Sequence, residues 1–382
     1  MQPVHDWGML ALEDGSIFEG QSVGAQGEWV GEVVFNTSMT GYQEIITDPS
    51  YWGQMVTFTC PHIGNVGVNQ EDLESRRPWV RAVLARKICF QPSNWRHEES
   101  LPNYLREWGI PALSGIDTRR LTLTLREKGV MRGALSTVND NHERLIEMAR
   151  NAPDMSILEP VGEVSRVTTE PWNEIWSPRW TVALRPSPKA GKRQPHIIVV
   201  DCGLKHNIAR LLTTYGAKVT VVPAFTSARD ILAQHPEGVL ISNGPGDPRQ
   251  AKRTVETVGE LMGKVPLFGL CLGHQLIALA AGAEIYKLPF GHHGGNHPVM
   301  DYATGRVEIT AQNHNYAVRA ESLAGLDFQI THLNLYDHTV EGMKHINLPI
   351  WSVQFHPEAS PGPHDSFHIL RRFVRTVAEE CN

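Results

Sequence analysis

The chain has 382 residues, 41% hydrophobic and 20% charged, and its 35 basic and 41 acidic side chains leave a formal charge of -6. Such a length suggests two domains, and the balance excludes wholesale disorder, a fibrous architecture and any global attraction to nucleic acid or anionic membrane. Met1–Asp6 has neither the basic start nor the apolar stretch of a secretory signal, and no apolar run is long enough to span a membrane. Five cysteines (60, 89, 202, 271 and 381) form no Cys-x-x-Cys pair, so no disulfide scaffold or zinc site is expected, and the cytoplasm is the expected compartment.

In chain order, Met9–Leu12, the turn Glu13-Asp14-Gly15-Ser16 and Ile17-Phe18 predict a hairpin closed at Asp-Gly. Helices are expected over 119–128 and 142–150, which makes 1–153 a mixed α and β domain. A soft stretch follows from Asn151 to Asp154 and on to a Trp- and Pro-containing segment near Trp172 to Trp180. Leu184–Pro195, with prolines, a glycine and four cations, describes an exposed linker. Residues 154–195 therefore connect the first domain to a second spanning 196–382.

That second domain is more regular. Ile197–Val200 is a short buried strand, followed by a helix through Ile208, Leu211 and Leu212 with Gly216 as its cap. Val219–Val222 is the next strand, and Ser227-x-x-Asp230 opens a helix as a capping box. Val239–Ile241 is a third strand, 249–262 a polar helix, Pro266–Leu270 a fourth strand and 272–281 a fourth helix. This alternation requires a doubly wound, mostly parallel α/β sheet covered on both faces. Beyond Glu284 short strands and turns are expected, ending in a helix over 365–379.

The sharpest signal is Phe268-Gly269-Leu270-Cys271-Leu272-Gly273-His274-Gln275, where an apolar strand runs through Gly-x-Cys-x-Gly into a helix. A lone intracellular cysteine is most often a small buried hydrophobe. In this context Cys271 instead reads as a thiol nucleophile on a strained elbow, with flanking glycines where backbones crowd, helix-start dipoles favouring a thiolate, and the Leu272 amide placed for an oxyanion.

A base and a group to orient it are both present in Trp351-Ser352-Val353-Gln354-Phe355-His356-Pro357-Glu358. Read as extended chain, it puts Ser352, Gln354, His356 and Glu358 on one face and Trp351, Val353 and Phe355 towards the core. The competing reading is a His-Pro turn beside a solvated Glu, and only the fold decides between them. Ser242-Asn243-Gly244-Pro245-Gly246-Asp247-Pro248 matches no nucleotide-binding fingerprint. It either lines the crevice of the elbow or is an ordinary strand-to-helix loop.

Gly-Pro-Gly-Asp-Pro at 244–248, Gly-x-Cys-x-Gly-His-Gln at 269–275 and His-Pro-Glu at 356–358 together resemble the class I (triad) glutamine amidotransferases, whose domain sheet is flavodoxin-like. Phe290–Pro298, Gln312-Asn313-His314, Glu358–Asp365, Asn36–Glu44, Thr47–Tyr51, Pro61–Gly67 and Asp117-Thr118-Arg119 extend the resemblance to carbamoyl-phosphate synthetase small subunits over nearly the whole chain. The resemblance implies a triad of Cys271, His356 and Glu358. It places glutamine contacts at Ser50, Gly244, Gly246, Leu272, Gln275, Asn313, Asn315 and Tyr316, with Ser50 contributed by the first domain. Asn315 and Tyr316 stand where Gly and Phe commonly follow Asn-His. The implied reaction is glutamine hydrolysis, with ammonia passed to a large subunit that makes carbamoyl phosphate from bicarbonate and ATP for arginine and pyrimidine biosynthesis. No cofactor is expected in this chain, and ATP and Mg belong on the large subunit. His292, His293 and His297 invite a metal reading, but the flanking glycines and proline favour a shaped loop, so no metal site is expected. Two rivals are another cysteine hydrolase on the same fold and a non-enzymatic docking subunit.

Overall fold

The computed structural model describes residues 7–177 and 194–380. The linker expected at Leu184–Pro195 falls almost entirely outside the described residues, as does Cys381. The chain divides into two compact units, one of Met1–Ile157 with Pro289–Gly294 and one of Leu158–Leu288 with Gly295–Asn382.

In the first unit, β1 (Trp7–Leu12) and β2 (Ile17–Gly24) form the predicted hairpin, with Ala11 opposite Ile17. The remaining strands are β3 (Glu28–Asn36), β4 (Gln54–Phe58), β5 (Ala82–Ala85), β6 (Pro111–Ser114) and β7 (Met131–Ser136), and the seven close into a barrel of order β1-β2-β6-β5-β4-β3-β7. The β3-β4, β4-β5 and β5-β6 pairs are parallel and the others antiparallel. Adjacent residues go to different cores: Val33, Met55 and Leu84 to one, Val34, Val56 and Val83 to another. Both strand faces are therefore buried, and the polar alternation that would reveal a strand is lost. Four helices complete the unit: α1 (Tyr42–Thr47), α2 (Leu101–Glu107), α3 (Thr118–Lys128) and α4 (His142–Arg150). Side chains of Asp117 and Asn141 cap α3 and α4, which match the expected helices to within a residue. The 289–294 segment belongs here through main-chain bonds from Thr37 to His293 and from Val130 to Pro289.

The second unit begins with α5 (Val161–Val164) and β8 (Glu170–Trp172). Then come β9 (His196–Asp201), α6 (His206–Thr214), β10 (Lys218–Pro223), α7 (Ala228–Leu232), β11 (Gly238–Ile241), α8 (Lys252–Leu261), β12 (Leu267–Leu270) and α9 (Leu272–Ala280). The predicted alternation is present, including the Ser227 cap that accepts from the Asp230 amide. After it lie β13 (Ile285–Asp301), β14 (Arg306–Val318), β15 (Phe328–Asn334), β16 (Val340–His345), β17 (Ile350–Val353) and α10 (Phe367–Glu380). The expectation of short strands beyond Glu284 is corrected here, since β13 has 17 residues and β14 has 13. The Gly- and His-rich 291–297 stretch lacks the alternation that announces a strand, and Gly291 and Gly294 carry positive φ within it.

The 10-stranded sheet has the order β14-β13-β15-β16-β17-β12-β11-β9-β10-β8. Its centre, β17-β12-β11-β9-β10, is parallel throughout. Numbered by these five alone, the order is 2-1-3-4-5, with the topological switch between β9 and β11. Ile198, Val200, Val239 and Ile241 face one core, and Ile197, Val199 and Leu240 the other, so the sheet is covered on both sides. Because these strands are parallel, the turns after β9, β11, β12 and β17 all emerge at one edge of the sheet.

Candidate active site

Cys271 occupies the turn between β12 and α9 with φ 51 and ψ -102, a conformation that a residue bearing a Cβ seldom adopts. Its amide donates to the Val353 carbonyl at 2.9 Å, and its own carbonyl accepts from the Gln275 amide at 3.2 Å, so the strained backbone is held on both sides. The flanking glycines have a steric cause. A Cβ on Gly269 would lie 2.5 Å from the Gly273 carbonyl oxygen, and one on Gly273 would lie 2.2 Å from that of Ile241. The thiol is buried and donates to the Asn313 carbonyl at 3.6 Å.

His356 and Glu358 follow β17, and the expectation of one extended strand through them is corrected. β17 ends at Val353, the Gln354 amide makes one last bond in the β16 register, to the Glu341 carbonyl, and His356 rejoins the sheet through a single antiparallel bridge to Ala311. Ser352, expected on the same face as His356, instead holds Nδ1 of buried His274 at 2.8 Å. Burial, with His332 nearby, pushes the His274 ring down to about 3, so it is neutral.

The His356 Nδ1 and Glu358 Oε1 atoms are 2.7 Å apart, in a site where both side chains are almost wholly excluded from solvent. Burial alone would push the imidazole down; the Glu358 carboxylate and then Cys271 reverse this and hold it well above its ordinary value. For Glu358, burial works against the charged form. The Lys205 ammonium and then His356 overcome it, keeping the carboxyl below the usual carboxylate range. His356 Nε2 and Glu358 Oε2 make no regular hydrogen bond although both are buried.

The other candidate residues of this unit lie on the loop after β11, on α9 and on β14. Gly244 follows β11 so closely packed that a Cβ would sit 2.1 Å from the Cys202 carbonyl and 2.8 Å from the Leu272 side chain. Gly246 has φ 88 and lies against the Pro160 ring. Leu272 begins α9, where its amide has no partner within the helix. Gln275 Nε2 donates to the Tyr316 carbonyl at 2.8 Å and to Gln354 Oε1 at 3.0 Å. Asn313, Asn315 and Tyr316 lie on β14, and the Arg249 guanidinium is 5.8 Å from the Tyr316 ring centre. Ser50 belongs to the first unit, in the turn Pro49–Tyr51, where its amide donates to Asp48 Oδ1 at 2.9 Å. His297, of the second unit, stacks edge-on against Tyr336, and His292 and His293 lie in the 289–294 segment of the first.

The family model described as "Carbamoyl-phosphate synthase small chain, CPSase domain" matches residues 10–135, and "Glutamine amidotransferase class-I" matches 198–376. A carbamoyl phosphate synthase small chain of Aquifex aeolicus is 50% identical over 368 residues, covering 96% of this chain and 98% of the relative. Those of Thermosynechococcus vestitus (50%, covering 96% and 95%) and Syntrophotalea carbinolica (48%, covering 96% and 96%) are similarly close. This chain belongs to the carbamoyl-phosphate synthase small-chain family. It is a glutamine-hydrolysing small chain with a class I glutamine amidotransferase domain.

Two side chains of this small chain were missed from sequence. Lys205 Nζ, itself buried, pairs with Glu358 Oε1 at 2.9 Å and also donates to the Ala359 carbonyl. Asn207 Nδ2 donates to the Glu358 carbonyl at 2.6 Å. Both lie just beyond β9, at the topological switch of the sheet, where a polar residue deserves a functional reading. That signal emerges only once the strand order is known. Among the described residues, no helix is long and apolar enough to cross a membrane.

Proposed function

We propose that Cys271, His356 and Glu358 form the catalytic triad that cleaves glutamine. The Cys271 sulfur attacks the side-chain amide carbon, and the backbone amides of Leu272 and Gly244 receive the oxyanion, each donor contributing roughly 3 kcal/mol. His356 gives its proton to the departing nitrogen, leaving a glutamyl thioester and ammonia. It then takes a proton from water, whose oxygen displaces the sulfur and releases glutamate. The observation that carries this reading is the buried Lys205–Glu358–His356 array beside the cysteine, which keeps a proton on the ring. Ser50, Gly246, Gln275, Asn313, Asn315 and Tyr316 bind glutamine in this proposal.

Ammonia is mostly protonated, and then no nucleophile, in water at neutral pH. Transfer through a water-poor path to a large chain, which carries ATP and Mg and makes carbamoyl phosphate from bicarbonate, follows from that chemistry. The reading includes a cytoplasmic setting and supply of arginine and pyrimidine biosynthesis. The test is Cys271→Ala in complex with the large chain. Synthesis from glutamine is lost and synthesis from added ammonia persists; equal loss of both in an intact complex overturns the division of labour.

A further inference from the structure

The region between the two family matches, 136–197, carries no motif, yet part of it grips the site. We propose that Arg166, acting through Asp201, is a positioning residue that sets the loop carrying Lys205 and thereby the Glu358–His356 pair. This rests on the triad reading above.

Asp201 ends β9, and its carboxylate gathers N–H groups from two directions. Oδ2 accepts from the Arg166 amide at 3.1 Å and from its Nε at 3.0 Å. Oδ1 accepts from the Gly203 amide at 3.0 Å and the Leu204 amide at 2.8 Å. The next residue is Lys205, whose amide donates to Asn243 Oδ1 at 3.1 Å and whose ammonium reaches Glu358. One carboxylate thus fixes the turn that delivers the buried cation.

The same segment braces the turn sterically. Gly203 has φ 129, and a Cβ there would sit 3.0 Å from Gly244 Cα and 3.1 Å from Val164 Cγ2, so the turn is pressed between α5 and the Gly244 loop. Pro160 lies against Gly246 in that loop, where a Cβ would sit 2.6 Å from the ring. The segment has its own anchors: Ser165 Oγ accepts from the Ala224 amide at 3.0 Å, and β8 pairs with β10. Arg166 is further held by Glu170 at 3.5 Å and by the face of Trp172 at 5.9 Å. A guanidinium fixed on so many sides acts as a rigid stop for Asp201.

An ordinary ion pair at a sheet margin would contribute to stability alone, whereas a positioning role changes turnover while leaving substrate binding in place, since a displacement of about 1 Å in a catalytic group costs on the order of 10²-fold in rate. The experiment uses the full chain with its large chain and compares Arg166→Ala, Arg166→Lys, Asp201→Asn and Cys271→Ala. For Arg166→Ala and Asp201→Asn the expected result is a fall of about 10- to 100-fold in glutamine kcat. KM for glutamine, the ammonia-supported rate and the melting temperature stay near wild type, and Arg166→Lys recovers most of the turnover. Unchanged kcat in both variants overturns the proposal, as does a loss that ammonia-supported activity or melting temperature shares in proportion. Cys271→Ala separates the two readings. If it abolishes glutamine use while Arg166→Ala does not impair it, the positioning role falls alone; if it retains glutamine use, the triad falls and the positioning role with it.

Discussion

The oxygen that orients His356 also receives Lys205, so the carboxylate of Glu358 has two cationic neighbours in a site without water-like screening. Replacing Glu358 with Gln removes the stronger of the two influences that oppose burial and leaves only Cys271 to hold the proton on the imidazole. The ring then titrates at lower pH by NMR, and glutamine turnover falls by about 10²- to 10⁴-fold while ammonia-supported synthesis persists. Glycines offer a second test at the same scale. Gly273→Ala drives a Cβ into the Ile241 carbonyl and destabilises by at least the roughly 1–3 kcal/mol of ordinary overpacking. Gly259→Ala, inside α8 with its nearest neighbour 4.0 Å from the added carbon, stabilises by about 0.5–1 kcal/mol. Denaturant titration of the two variants gives opposite shifts of the midpoint.

Elements whose sequence and packing agree were legible before any coordinates. The Cys271 elbow announces itself because apolar strand, crowded glycines and apolar helix all lie within a dozen residues. The four strand–helix repeats around it are equally plain, since β-branched runs and amphipathic helices follow each other at regular spacing. The barrel strands were not, because Val33 and Val34, or Val83 and Leu84, are buried on opposite faces. The end of β17 was hidden for another reason. Alternation in 351–358 fits a strand, but after a last in-register bond from the Gln354 amide to the Glu341 carbonyl the chain leaves the ladder. His356 and Glu358 nevertheless lie side by side, on a geometry of which the strand reading describes only half. Sequence could not reach Lys205, since nothing local relates position 205 to 358. At this scale Leu240→Ala is informative. Leu240 is fully buried on β11 beside Phe268 of β12, and its loss costs about 2–5 kcal/mol, read by denaturant unfolding, without altering a functional side chain.

At the scale of the whole molecule, the five parallel strands act as a device for concentrating charge. Their carboxyl ends bring the turns after β9, β11, β12 and β17 to one edge, so residues between 201 and 358 meet in a buried array. That array links folding to pH with a definite sign. Glu358 ionises more readily folded than its ordinary 4.5 implies, so its contribution is complete above that value and is lost as pH falls through the depressed one. His356 holds its proton more tightly folded than its ordinary 6.5 implies, so its contribution is complete below 6.5 and is lost as pH rises through the raised value. Both are complete only between about 4.5 and 6.5, the two ordinary values. In Glu358→Gln the first contribution vanishes and the second shrinks, because only Cys271 then opposes burial at His356. The gap in melting temperature between wild type and this variant therefore widens from alkaline pH down towards 6.5 and closes only in stronger acid, as Glu358 itself takes a proton. Calorimetry of the isolated chain from pH 4 to 10 measures that gap directly. A gap that stays constant across the range means that His356 and Glu358 are not charged partners in the folded chain.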